Sequence, residues 1–281
     1  MKLPSNQLEA FYQLAKDLNF TKAAENINIT QSAFSTRILK LEDTLELTLF
    51  TREKSNIRLT EAGERLLQYC SKALTLEEEL IGDLTSNNNK LKGNIRIGGF
   101  SSIMRSLVLP ALTPILNLNP ELGIEFLTGE IRDLIPLLKN GKVDYLISDQ
   151  EASNINIDSI LLGYETNVLI ESQKGCPKNI YLDHDLNDVT TDSYLKLKPE
   201  LQNNIRKRYL DDIYGILDGV SLGLGRAIVP RHLIKNRKDI NILYPKTNLK
   251  VPLYLLTFKS QFKTKLEQQV INHLKNISTK L

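Results

Sequence analysis

The chain has 281 residues, 41% hydrophobic and 25% charged, and a formal net charge of +3. That is ordinary for a soluble globular protein with room for two or three compact units, and too weakly basic to argue for a polyanionic partner on charge alone. No apolar run nears the roughly 18 residues of a membrane span. MKLPSNQLEA lacks a secretory core, and two cysteines without a CxxC pair (Cys70, Cys176) point to a reducing cytoplasm without disulfide framework or zinc site.

Residues 8–18, LEAFYQLAKDL, set Leu8, Phe11, Leu14, Ala15 and Leu18 on one helical stripe. Asn19 can cap the next short helix, which carries Ala23 and Ala24 and ends near Ile27. Thr30 caps a third helix in which Phe34, Ile38, Leu41 and Leu45 bury one face, leaving Gln31, Ser32, Ser35, Thr36 and Lys40 turned elsewhere. TREKSNIRLT, residues 51–60, alternates around a Ser55-Asn56 turn and reads as a two-stranded wing. Thr60 then opens a long helix to about residue 88, with Leu67, Leu74 and Ile81 in one heptad column beside Leu66, Ala73 and Leu80. Such columns suit pairing with a partner chain. The polar, turn-rich SNNNKLKGN, residues 86–94, reads as a hinge.

Beyond it the pattern alternates. NIRIGG is a strand, Ser101-Ser102 lead into a helix containing Leu107 to Leu116, and GIEFL is a second strand. A helix from Ile131 to Lys139 stops at Gly141, and VDYLIS is a third strand. NVLIES, NIYLD, the helix DDIYGILDGVSLG, RAIVP, VPLYLLT and the amphipathic KLEQQVINHLKNI continue the plan. Strands alternating with helices predict a parallel sheet covered by helices, an α/β fold.

Two helices joined by a tight turn, the second opening with short polar side chains, describe a helix-turn-helix whose second helix meets base edges in a major groove. Gln31 is long enough to bond an adenine edge, and Ser35 can reach base or phosphate. Thr21, Thr36, Arg37 and Lys40 lie where phosphates should pass, Thr30 and Ser32 belong to the DNA-facing set at the helix start, and Arg52, Lys54 and Arg58 of the wing can grip the backbone, or a minor groove, beside the site. Residues 1–60 carry eight Lys and Arg against seven acids, a balance of +1, so charge placement must do the work.

From Leu8 to Gly63 the chain resembles the winged helix-turn-helix of the LysR-type transcriptional regulators, through LEAF, NFTKAAENINITQSAFSTRILKLEDTL, LFTR and LTEAG. NPELGIEFLTG, LKNGKVDYLIS and VSLGLGRAIVP extend the likeness over the full length at lower density. Ser32 stands where that family often has proline, Glu46 where it has glycine, and Asn19 where it has serine. The resemblance implies a DNA-binding domain over 1–60, a dimerisation helix over 61–90, and an effector domain over 91–281. That domain would have two α/β lobes of periplasmic-binding-protein type, lobe I at 91–161 and 259–281 and lobe II at 162–258. It also implies a cytoplasmic dimer or tetramer that binds double-stranded DNA and a small-molecule effector, without cofactor or membrane.

The strand ends fit an effector site, since ligands of such sheets sit beyond them. Ser101 and Ser102 open a helix and can seat a carboxylate. Thr128, Gly129 and Glu130 follow the second strand, Ser148 and Asp149 the third, Asp183 follows NIYL, and Gly223 precedes RAIVP. Glu130, Asp149 and Asp183 together favour a ligand with a positive group as well, as in an amino acid. Enzyme chemistry finds little support: GLGRAI precedes a strand and lacks the third glycine of a dinucleotide loop. His184, His232 and His273 show no metal-ligand spacing, and Cys176 lacks a setting that would lower its thiol pKa.

Overall fold

The computed structural model describes residues 3–53, 56–85, 91–129, 131–260 and 263–279. At the N-terminal end, α1 (Ser5–Asp17) buries Ala10, Phe11, Leu14 and Ala15, and α2 (Phe20–Asn26) buries Ala23 and Ala24. The side chain of Asn19 accepts from Lys22 N at 3.0 Å, the capping contact expected of it. In α3 (Gln31–Leu45) the buried residues are Phe34, Ile38 and Leu41, and Thr30 Oγ1 accepts from Ala33 N at 3.3 Å. These faces meet Leu49, Phe50, Leu67 and Cys70 in one core. Phe11 lies against Phe50 and Phe20 against Phe34 with centroids 5.3 and 5.9 Å apart. Each such large side chain contributes about 1.5–3 kcal/mol by leaving water.

The wing is an antiparallel pair, β1 (Phe50–Glu53) and β2 (Asn56–Leu59). Glu42 ties it to α3 by accepting from Leu49 N at 2.6 Å and Phe50 N at 3.2 Å. Thr60 Oγ1 donates to Thr48 O and accepts from Gly63 N, fixing the start of α4 (Glu61–Thr85). Gly63 has a steric reason: a Cβ there would sit 2.3 Å from the Leu49 carbonyl oxygen. The heptad reading of α4 needs correction at its start. Leu67 is fully buried in the N-terminal core, so that column is open only further along, where Leu74, Leu80 and Ile81 are exposed.

The second half begins with β3 (Gly93–Gly99), which pairs in parallel with β4 (Leu122–Thr128) and β5 (Tyr145–Ser148). Between β3 and β4 runs one helix, α5 (Ser101–Leu118), which opens at Ser101 as the sequence suggests and includes a π-helical stretch at Met104–Val108. By length and apolar content α5 would meet the needs of a membrane crossing, contrary to the sequence reading. Its apolar residues instead pack into the core: Leu107, Val108, Leu112 and Ile115 meet Val270, Ile271 and Leu274 of α9 (Lys265–Lys275). Between β4 and β5, α6 (Ile131–Lys139) buries Leu134 and Leu138.

The expected all-parallel sheet is in fact mixed. β6 (Ile157–Ser172) is a single strand of 16 residues, and NVLIES is only its end. It carries the chain from one lobe to the other, and β11 (Leu249–Phe258) brings it back, so the two must run antiparallel. β11 also pairs antiparallel with β5, which welds it to the first lobe. In the second lobe, β7 (Ile180–Asp183) pairs in parallel with β8 (Arg206–Tyr209), while β9 (Ala227–Pro230) and β10 (Ile240–Leu243) pair antiparallel with β6. Two helices cover this lobe, α7 (Thr190–Leu195) and α8 (Ile213–Ser221). Its core gathers Val168, Ile170, Leu182, Ile216, Leu217 and Val229, apart from the first lobe's cluster around Ile95, Ile97, Tyr145 and Leu255.

Candidate nucleic-acid interface and ligand cavity

At the DNA-facing end, α3 presents Gln31, Ser32, Thr36 and Lys40 exposed and Ser35 half-buried, directly above the buried Phe34 and Ile38. Thr21 is exposed at the start of α2. Several of these groups are already engaged. Thr30 Oγ1 and Ser32 Oγ lie 3.1 Å apart, and Thr36 Oγ1 donates to Ser32 O at 2.9 Å, so part of the hydroxyl row is held in the cap. Arg37 lies 3.7 Å from Glu9 of α1, which anchors the guanidinium beside the groove face. Among the described residues Gln31 and Ser35 have no side-chain hydrogen-bond partner, which leaves them open to an external one. Arg58 is exposed on β2. The Arg52 side chain and Lys54 lie outside what the structure describes.

The second site is a cavity of about 500 Å³ between the lobes, in the size range of small-molecule sites. Of the residues expected from sequence, Ser101, Ser102, Thr128, Gly129 and Asp149 line it. Glu130 is outside the described residues. The other three are occupied elsewhere. Ser148 Oγ donates to Gln150 O at 2.9 Å and accepts from Gln150 N at 3.0 Å, closing its own turn. Asp183 is 2% exposed, accepts from the Thr191 hydroxyl and pairs with Lys207 at 2.9 Å, behind the cavity wall. Burial raises its pKa, against the pull of Thr191 and Lys207. Gly223, at φ +77°, turns the chain against Gly175, where a Cβ would come 3.0 Å from the Gly175 carbonyl oxygen.

Residues that the sequence reading passed over complete the lining: Glu165 and Asn167 on β6, Asp188 and Thr190 before and in α7, and Asp211 and Asp212 before α8. Glu165 and Asn167 were detectable as polar residues inside the otherwise apolar ILLGYETNVLI. Asp212 caps α8 through Gly215 N at 2.9 Å, and Asp188 accepts from His184 N and Thr190 N. The Thr190 side chain and those backbone N–H groups hold the Asp188 carboxyl below its ordinary pKa despite burial. Asp149 shifts the other way: burial first, then the nearby Glu165 charge, raise its pKa.

A polar chain spans the cavity's edge. Ser106 Oγ in the π-helical stretch donates to Ser102 O at 2.5 Å and lies 2.8 Å from His232 Nδ1, while His232 Nε2 lies 2.8 Å from Glu165 Oε1. The His232 ring thus bridges Ser106 of the first lobe and Glu165 of the second. Beside it Arg105 stacks on the Tyr214 ring of α8, 4.6 Å from its centroid. The lobes thus touch through polar groups as well as through β6 and β11.

A winged helix-turn-helix attached by a long helix to a two-lobed sensor domain defines a ligand-responsive transcription regulator. The profile of the bacterial regulatory helix-turn-helix protein, lysR family, matches residues 5–64. A carbapenem-hydrolyzing beta-lactamase transcriptional activator of Enterobacter cloacae is 30% identical over 252 residues, covering 85% of this chain and 82% of that one. The chain belongs to the LysR family: it is a DNA-binding transcriptional regulator with an effector-binding domain, and not an enzyme. The regulator YofA of Bacillus subtilis is 26% identical over 237 residues, 83% of each chain. Among solved structures, ArgP of Mycobacterium tuberculosis superposes with a TM-score of 0.78 at 19% identity, over 100% of this chain and 99% of that one. LysG of Corynebacterium glutamicum with bound effector Arg reaches 0.78 at 15% identity, over 99% of each. At these identities the likeness is one of fold.

Proposed function

We propose that this regulator reads a roughly symmetric operator as a pair of subunits and responds to a small carboxylate-bearing metabolite or amino acid held between its lobes. The division of labour is 1–60 for DNA, 61–90 for pairing, and 91–281 for sensing, with lobe I at 91–161 and 259–281 and lobe II at 162–258. The observation that carries the DNA reading is the polar surface of α3, with Gln31, Ser32, Thr36 and Lys40 exposed and Ser35 half-buried, over a fully buried underside. A helix with that profile can sink into a major groove without exposing its core. Pairing is supported by the exposed Leu74, Leu80 and Ile81 of α4, in adjacent columns of apolar surface that water would otherwise bathe. Dimers of this kind can assemble into tetramers through the sensing halves. The effector carboxylate fits the first-turn N–H groups at Ser101 and Ser102, which the helix itself does not use. LysG, with its bound Arg, is a protein of this fold that holds an amino acid.

Mapping of bound sites across the genome names the operator, and binding assays on it test the reading residue. Gln31→Ala should weaken operator binding by about 1–3 kcal/mol, the scale of one good base contact, and relax base choice at one position. Equal weakening on operator and random DNA would remove Gln31 as a base reader.

A further inference from the structure

We propose that the cavity selects ligands bearing a cationic side-chain nitrogen, seated against Asp149, with the Asn167 amide engaging the polar group beside it. This rests on reading the cavity as the effector site and adds the charge class of its occupant.

Two independent observations carry it. The first is the charge of the wall. Asp149, Glu165, Asp188, Asp211 and Asp212 line the cavity, and among the described residues no lysine or arginine does. Not all five acids are available. Asp188 and Asp212 serve backbone N–H groups, and Glu165 is engaged by His232 at 2.8 Å. Asp149 is different: half-buried, it makes no side-chain hydrogen bond to another described residue and sits within the field of Glu165. Burial and that neighbour raise its pKa, the condition in which an incoming cation gains most by neutralising a carboxylate. A purely anionic ligand would meet repulsion here, with only the start of α5 to offset it.

The second observation is Asn167. It is 4% exposed, lines the cavity, and its side-chain amide has no hydrogen-bond partner among the described residues. An amide on the cavity wall without a partner in the protein is free to bond a ligand. Ser101 and Ser102 add an anion seat on the same side of the sheet as Asp149, since β3 and β5 are parallel neighbours, so the cavity offers an anion seat, a neutral amide and a carboxylate. That set of groups suits a basic amino acid.

The test is calorimetry on the full-length protein with arginine, lysine, citrulline and succinate. Citrulline keeps the size and carboxylate of arginine but carries no side-chain charge. Arginine or lysine should bind roughly tenfold or more tightly than citrulline, the factor a charged hydrogen bond supplies, and succinate should not bind. Asp149→Asn should collapse that gap while leaving the ligand-free melting temperature unchanged or raised, because it removes a carboxylate that burial disfavours. Citrulline or succinate binding as tightly as arginine would overturn the charge selection and leave the sensor reading standing. So would the absence of binding by both arginine and lysine. Failure of the sensor reading has a separate signature: Thr128→Trp, which fills the cavity mouth, leaving the promoter response in cells unaltered.

Discussion

The DNA-facing end and the ligand cavity both use polar side chains near the starts of helices, but they are assembled differently. At the first, Thr30 to Lys40 are consecutive, and the same helical turn that exposes Gln31 buries Phe34. At the second, Ser101, Asp149, Asn167 and Asp212 come from four separate elements and meet only because β6 and β11 fold one lobe over the other. A site built along one helix is governed by local caps and periodicity. A site built across a cleft depends on buried supports that never touch the ligand.

The largest expected effect tests the second half of that contrast. Asp183→Ala should destabilise the protein by about 3 kcal/mol, the low end for breaking a buried ion pair, since Lys207 keeps Asp192 at 3.0 Å. The urea midpoint reports it. Intact stability with ligand binding abolished would return Asp183 to the cavity, as its place after NIYL suggests. Next comes Gly63→Ala, which drives a methyl into the Leu49 carbonyl and should cost about 1–3 kcal/mol by overpacking, less whatever alanine returns to the helix. Hydrogen exchange should rise within residues 5–64, the span of the family match, and stay unchanged in the sensing half. A rise in both would mean the two regions do not open independently. The smallest effect concerns Glu46, which ends α3 at φ 55°, ψ 34°, a conformation that disfavours side chains. Glu46→Gly should raise the melting temperature slightly, by up to about 1 kcal/mol of relieved strain. A lower melting temperature would show that the glutamate side chain offsets the strain.

The same contrast explains what could be read from sequence. Asn19, Thr30 and Thr60 cap where their chemistry predicts, and Phe34, Ile38 and Leu41 are buried at helical spacing, because these are short-range effects. The sensing half was legible as strand and helix units but not as a sheet, since direction depends on where the chain returns. β8 reads RKRY and α7 reads TTDSYL, too polar and too short to announce themselves. β10, four residues long, lies at the sheet's edge. Of the cavity, the loop positions after β3, β4 and β5 were within reach, because the ends of parallel strands share one side. Glu165 was missed because only the end of β6, from Asn167 onward, reads as a strand, Asn167 because it stands where that strand begins, and Asp183 was misplaced because nothing local reveals Lys207 behind it.

Leu67 belongs to the N-terminal core, yet its Cδ2 is 3.3 Å from where a side chain on Gly141 would begin, at the end of α6 in the sensing half. Lys72 reaches Glu267 of α9 at 3.3 Å along the same seam, and Asn156 donates to Glu61 at 3.3 Å. Within one subunit, head and sensor are therefore mechanically in series through packed side chains as well as through the connecting backbone. A displacement at the foot of α6 has a hard stop to push against, and lengthening the tether alone would not uncouple the two.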